Sequence, residues 1–104
     1  MRRKYNGTGY NVEAVWENLD KSKPIYSLST ELTPQYVWEN GKPTSKIASY
    51  KAGFTQENAE YFQVKFAKKV TLPKYLSVVT FDNITAFQNR YDVYFKADDV
   101  KEVK

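Results

Sequence analysis

The chain has 104 residues, the length of one domain, and a formal net charge of +4. It contains neither cysteine nor histidine, which excludes disulfides, thiolate chemistry and a nucleophile–histidine–acid triad and removes the commonest metal ligands. The basic start, residues 1–4, is followed by Tyr-Asn-Gly-Thr-Gly instead of an apolar run, so we predict no secretion signal, and no segment has the length of a membrane span. We expect one cytoplasmic domain over residues 1–104, with residues 1–8 as a mobile basic arm and with no cofactor, no metal and no membrane partner.

Alternation of apolar and polar residues runs through most of the chain and predicts short strands. In chain order the alternating segments are residues 10–16, 25–30, 35–39, 45–54, 62–66, 76–81 and 91–96. Asn40-Gly41 predicts a tight hairpin turn because both residues tolerate positive φ, and Asp82-Asn83 predicts a second turn. Residues 97–104 fit a short final strand or one helical turn. Six to eight short strands without a long helix indicate an all-β fold, either a small OB-like barrel or a PUA-like pseudo-barrel.

Positive charge is concentrated in the middle of the chain. Residues 1–39 have a net charge of zero and residues 82–104 of −1, whereas residues 40–81 carry seven lysines against two glutamates, a net charge of +5. Six aromatic residues lie among these lysines. Lysines that follow a phosphate backbone, together with rings that stack on bases, are what a groove for single-stranded nucleic acid requires. The segment is the candidate binding region, and ordinary amphipathic strands of the same composition are the alternative.

Strand parity narrows the candidate region to a set of residues. The predicted nucleic-acid-binding residues are Trp38, Lys42, Lys46, Tyr50, Lys51, Lys68, Lys69 and Lys74. On a regular strand Lys46, Ala48, Tyr50 and Ala52 share one face, which is a poor core face and would suit a base stacked on Tyr50 with a phosphate near Lys46. The alternative is that Tyr50 packs at the barrel rim and Lys46 is solvated. Lys65 points away from a core strand, and we expect it only to solvate the back of that strand.

Three other features each have a functional and a structural interpretation. Trp38 shares a strand face with Tyr36. For Trp38 a core position is favoured over a stacking role. Lys68, Lys69 and Lys74 surround a predicted loop and fit either phosphate contacts or a solvated loop. Asp98-Asp99 is the only close pair of carboxylates, and a solvated turn is favoured over acid–base chemistry. We therefore predict no catalytic residue and no enzymatic activity.

The last two-thirds of the chain resemble a family of small proteins from Gram-positive conjugative elements, the HelP/YdcP type. The resemblance to this family lies in residues 79–86 (Val-Thr-Phe-Asp-Asn-Ile-Thr-Ala) and in residues 91–100, which end in Lys-Ala-Asp-Asp-Val. Upstream, Lys42–Ile47 followed by Tyr50-Lys51 is similar to a Thr-x-Lys-Ile-x-x-Tyr stretch of small plasmid and transposon proteins. The resemblance implies an OB-like barrel that acts as an accessory protein in plasmid or transposon replication and transfer, with a helicase or another replication protein as partner. It implies no catalytic residues.

These observations together predict a non-enzymatic accessory protein of a mobile genetic element that binds single-stranded DNA. Two alternatives remain open. The first is an RNA-binding regulatory protein with a PUA-like fold, which would use the same basic strands. The second is a protein-interaction module or inhibitor of phage or plasmid origin, in which the aromatic residues form a binding hot spot.

Overall fold

The computed structural model describes residues 9–57, 59–89 and 92–103, so the predicted basic arm, residues 1–8, lies outside the described residues. Within these ranges the chain forms one short helix and eight strands. They are α1 (Val12–Asn18), β1 (Ile25–Ser27), β2 (Thr33–Glu39), β3 (Lys42–Gln56), β4 (Phe62–Phe66), β5 (Val78–Asp82), β6 (Thr85–Gln88), β7 (Val93–Ala97) and β8 (Asp99–Glu102).

The described strands belong to one strongly curled sheet. Seven of them are hydrogen-bonded side by side in the order β6-β7-β4-β3-β1-β5-β8. The eighth, β2, pairs with β3 outside this order. All strand pairs are antiparallel except β4 with β7, which run parallel. The curl closes the sheet to about half a barrel, which confirms the predicted small all-β barrel as the fold class.

The hydrophobic core lies on one face of this sheet. Phe54 of β3 and Phe66 of β4 are fully buried, and the ring of Phe81 from β5 meets Phe54 edge to face, with the ring centroids 4.9 Å apart. Val15 of α1 is also fully buried and closes the core from the helix side. Each such side chain stabilises the fold by about 1.5–3 kcal/mol relative to an exposed one. The alternation predicted for residues 62–66 is confirmed, since Lys65 lies on the face opposite the core.

Residues 12–16, predicted as part of a strand, belong instead to α1, which continues to Asn18. Asn11 caps this helix, because its side-chain oxygen accepts a hydrogen bond of 2.8 Å from the backbone N–H of Ala14. Val15 and Leu19 are four residues apart and both buried, which is the spacing of one helix face. The strand prediction was wrong because the same residues also fit helical spacing behind the Asn11 cap, and in the helix Val12 is 51% exposed whereas Ala14 is buried.

The other predicted strands are confirmed with shifted ends. β1 stops at Ser27, the residues around 45–54 belong to the longer β3, and the tail forms a strand, β8, in place of the alternative helical turn. The predicted turn before residue 84 is present, with Asn83 at a φ of 54°. β6 was not predicted because its four residues show no clear alternation of apolar and polar side chains.

The buried side-chain amide of Gln56 hydrogen-bonds the segment between α1 and β1 to the sheet. The Nε2 group of Gln56 donates to the backbone carbonyls of Asp20 and Lys23, and its Oε1 accepts from the backbone N–H of Asp20. Gln56 is only 3% exposed, so these bonds satisfy the polar atoms that burial removes from water. Hydrogen bonds from the hydroxyl and the backbone N–H of Ser22 lower the pKa of Asp20 and stabilise the turn in this segment.

β2 and β3 extend beyond the rest of the sheet as a two-stranded ribbon. From Lys42 to Ser49, β3 pairs only with β2, whereas from Tyr50 onward it also pairs with β4. The predicted turn is confirmed at the end of the ribbon, where Asn40 and Gly41 have φ values of 51° and 77°. We refer to residues 35–48 as the ribbon.

Two register shifts interrupt the pairing of β2 with β3, and the first changes which residues share a face of the ribbon. Gln35 pairs with Ser49, but Tyr36 pairs with Ile47. Because paired residues lie on the same face and consecutive residues alternate, Ile47 and not Ala48 lies on the face of Tyr50. The predicted common face of Lys46, Ala48, Tyr50 and Ala52 is therefore wrong.

The two expectations about aromatic residues on this hairpin are also corrected. Tyr50 pairs with Phe66, which is fully buried, so the face that carries Tyr50 is the core face of the sheet. Trp38, for which a core position was favoured, is 65% exposed because no other strand covers the ribbon. The register shifts between β2 and β3 and the exposure of the ribbon both depend on tertiary structure, which alternation along one strand does not reveal.

The assignment of Asn11 as the helix cap can be tested by substitution. Asn11→Ala removes the oxygen that accepts the Ala14 N–H bond and should lower the free energy of unfolding by about 1 kcal/mol. Asn11→Ser retains a capping oxygen and should change the stability little. Urea unfolding followed by circular dichroism measures both variants, and equal stabilities would show that this residue does not cap a helix.

Candidate functional site

Three lysines form a row across neighbouring strands on the outer face of the sheet, the face opposite the core. Lys51 of β3 is the direct partner of Lys65 in β4, and Lys65 is in turn the partner of Lys96 in β7. Adjacent strands lie about 4.8 Å apart, so the row spans roughly 10 Å. We call these three residues the lysine row.

The lysine row contains like charges in directly opposite positions, which destabilises a sheet. Among the described residues the two ion pairs are Lys23–Glu57 and Lys101–Asp82, so no described carboxylate neutralises the row within 4.0 Å. A row of cations without a paired carboxylate favours a nearby anion, because a bound phosphate would relieve the repulsion.

Aromatic rings accompany the lysine row. The ring of Tyr10 lies beneath two of its ammonium groups, with centroid distances of 4.5 Å to Lys96 Nζ and 5.7 Å to Lys65 Nζ. The ring of Phe87 lies 6.0 Å from that of Tyr10 and 6.3 Å from that of Tyr94, the latter pair being stacked. Tyr94 is 45% exposed, so part of its ring surface is open to a ligand.

A groove of about 450 Å³ adjoins the lysine row on the outer face. Its lining includes Tyr10, Lys51, Tyr61, Lys65 and Tyr94. The carboxylates of Glu60 and Asp92 also line it, so the groove has both cationic and anionic parts. This combination suits a ligand that carries negative charge along one side and hydrogen-bond donors along another.

Tyr61 reaches this groove because β3 has a glycine at the position below its ring. A Cβ atom at Gly53 would overlap the Tyr61 ring, whereas the bare glycine lets the ring lie against the strand. Tyr61 is nevertheless 56% exposed, so the ring is supported by the sheet and open on its other side.

The structure distributes the sequence-predicted residues over several surfaces. Trp38, Lys42 and Lys46 lie on the exposed ribbon, and Lys68 and Lys74 are exposed in the connection between β4 and β5. Tyr50 and Lys69 are brought together at one pocket, on the core side of the sheet. Lys51 lies on the outer face, opposite its neighbour Tyr50.

The sequence analysis did not predict Lys65 and Lys96 as site residues, nor the aromatic rings beside the lysine row. Lys65 was expected only to solvate the back of a strand, and Lys96 lies outside the basic segment 40–81. The available signal was parity, since both lysines alternate with buried residues of β4 and β7. Their proximity depends on the parallel pairing of these two strands, which no local pattern indicates.

The acidic pair Asp98-Asp99 lies between β7 and the start of β8. Asp98 is exposed and accepts a hydrogen bond of 2.8 Å from the side chain of Asn83, while Asp99 accepts one from the backbone N–H of Val100. No group of three acidic residues within the described ranges could hold a metal ion. The described part of the chain also has no helix that combines the length and the apolar character needed to cross a membrane.

Comparison of the chain with protein-family models, with curated proteins and with solved structures found no significant match in any of the three.

The support of the Tyr61 ring by Gly53 predicts a coupling between the two residues. Gly53→Ala should lower the free energy of unfolding in the wild-type chain because the ring has to move. In a Tyr61→Ala background the same change should be neutral or stabilising by about 0.4–1 kcal/mol, since alanine restricts the unfolded chain. A double-mutant cycle from chemical unfolding measures this coupling, and additive effects would contradict the contact.

Proposed function

We propose that the protein binds single-stranded nucleic acid on the outer face of its sheet. The observation that carries the proposal is the lysine row, in which Lys51, Lys65 and Lys96 occupy adjacent strands without a described carboxylate to neutralise them. Phosphates of the backbone would lie along this row. Electrostatic contacts of this kind supply affinity without sequence preference.

Exposed rings beside the row support a single strand as the ligand in preference to a duplex. Tyr61 and Tyr94 both line the groove and are 56% and 45% exposed. The bases of a single strand are free to stack on such rings, whereas those of a duplex are already stacked on one another.

The carboxylates of the groove suggest how the strand is oriented. Glu60 and Asp92 would repel phosphates, which favours the backbone over the lysine row and the bases over the groove. Carboxylate oxygens also accept hydrogen bonds from the exocyclic amino groups of bases. DNA and RNA share these features, so RNA binding is an outcome of the same experiment.

The broader role in a mobile genetic element, with a helicase or another replication protein as partner, follows only from the family resemblance and stays a prediction. Titration of labelled single-stranded DNA, single-stranded RNA and duplex DNA, followed by fluorescence anisotropy at low and high salt, tests the binding itself. We expect the single strands to bind more tightly than the duplex. No binding of any single strand at low salt would overturn the proposal.

The contribution of the lysine row can be measured with one variant and one control. Lys65→Ala should weaken single-strand binding about threefold to tenfold and reduce the slope of log affinity against log salt by about 0.7, because one phosphate contact is lost. Lys101→Ala is the control, since Lys101 lies on β8 and is paired with Asp82. Equal losses in the two variants would show that only the net charge matters.

The contribution of stacking has a different signature. Tyr94→Ala should weaken binding by about 1–3 kcal/mol per stacked base and leave the salt slope unchanged. Tyr75→Ala is a matched control because Tyr75 is a similarly exposed tyrosine, 57% accessible, that does not line the groove. Anisotropy titrations at several salt concentrations separate the two effects. An unchanged affinity for Tyr94→Ala would remove this ring from the site.

A further inference from the structure

The ribbon carries an apolar face that is the continuation of the core face of the sheet. Tyr50 pairs with the fully buried Phe66 on one side and with Pro34 on the other, so Pro34 lies on the core face. Alternation along β2 then places Tyr36 and Trp38 on this same face. Their partners on β3, Ile47 and Pro43, complete it.

This face is uncovered where the ribbon leaves the body of the protein. Trp38 is 65% exposed, Ile47 45% and Tyr36 43%. Tyr36 and Ile47 are strand partners, and Trp38 is two residues from Tyr36 on the same face, so the three side chains form a contiguous patch of the kind that marks sites of association. We call Tyr36, Trp38, Pro43 and Ile47, together with Pro34 at the base of the ribbon, the ribbon face.

A pocket of about 520 Å³ lies at the base of the ribbon face. Its apolar lining consists of Leu32, Pro34, Ile47, Tyr50, Val70 and Leu72. Glu31 and Lys69 also line it and give it one charge of each sign. The volume is large enough to admit an aromatic side chain, and the lining offers it apolar contacts.

The Trp38 of the same chain cannot enter this pocket. It lies four residues beyond Pro34 on an extended strand, a separation of about 13 Å. A second copy can supply the side chain if two ribbons pack face to face in antiparallel directions. A two-fold axis near Tyr36 would then place each Trp38 over the Pro34 and the pocket of the other copy, which is the self-complementary arrangement of a two-fold dimer.

The charges around the face are compatible with this arrangement. Glu39 and its strand partner Lys42 are next to Trp38 and Pro43 in the chain, so alternation places them on the outer face of the ribbon, away from this interface. Of the charged residues, Glu31 and Lys69 line the pocket, one of each sign. A two-fold arrangement that sets the Trp38 end of one copy against the pocket of the other therefore brings no like charges together.

We propose that the ribbon face is a homodimer interface, in which Trp38 of each copy inserts into the base pocket of the other. Covering the exposed side chains and the pocket rims of both copies would bury roughly 1,000 Å² in total, the lower limit of specific interfaces. The dimer is therefore weak and forms as the protein concentration rises. It leaves the outer face, with its lysine row, accessible on both copies.

Sedimentation velocity over about a hundredfold range of protein concentration tests the dimer by mass action. The wild-type chain should shift from monomer to dimer across this range. Trp38→Ala should raise the dissociation constant about thirtyfold or more, and its thermal unfolding as a dilute monomer should match that of the wild type because Trp38 is exposed. Val12→Ala, which shortens a 51% exposed apolar residue on α1, is the control and should dimerise normally.

Crosslinking provides a second, independent test. The sequence has no cysteine, so Tyr36→Cys introduces a single thiol near the two-fold axis. A short bismaleimide should link two copies of Tyr36→Cys but not two copies of Val12→Cys.

Three results would overturn the proposal. They are a wild-type chain that stays monomeric throughout the range, a Trp38→Ala variant that dimerises as tightly as the wild type, and equal crosslinking of the two cysteine variants. Loss of oligonucleotide affinity in Trp38→Ala, with a monomeric wild type, would also overturn it and would assign the ribbon face to nucleic acid.

Discussion

The continuity of β3 is the constraint on which the rest of this structure depends. Its fifteen residues, Lys42–Gln56, pair with β2 over the first part and with β4 and β1 over the last part. Alternation along the last part puts Phe54 in the core and Lys51 on the outer face. The same strand continues past the edge of the body, so the core face continues with it into the ribbon. One strand therefore generates the core, the lysine row and the ribbon face.

Both candidate surfaces are places where the isolated fold leaves an interaction unsatisfied. The lysine row sets like charges opposite one another and is compensated only in part by the ring of Tyr10. The ribbon face leaves Trp38 and Ile47 in contact with water. An anion would relieve the first and an apolar partner the second, so the two surfaces suit ligands of different chemistry. They lie on opposite faces of the sheet, and occupation of one does not block the other.

Local chemistry decided which elements could be predicted. The alternation of Phe62, Val64 and Phe66 and the Asn40-Gly41 turn depend on neighbouring residues, and the structure confirms both. The segment that forms α1 contains two competing local signals, alternation and the Asn11 cap followed by helical spacing, and the helical signal prevails. The face of Lys46 and Tyr50 was predicted wrongly because a register shift is a property of two strands, and one strand's sequence does not specify it.

The sequence by itself determined the all-β class, the hairpin turn, the concentration of positive charge and the absence of histidine and cysteine chemistry. These properties follow from residue identity and short-range spacing. Only the tertiary structure decided that Lys65 stands beside Lys96, that Tyr10 lies beneath both, and that Trp38 is exposed. The physical reason is that parallel pairing of β4 with β7 and the overhang of β3 join residues far apart in the chain, and such contacts are set by how the strands pack together.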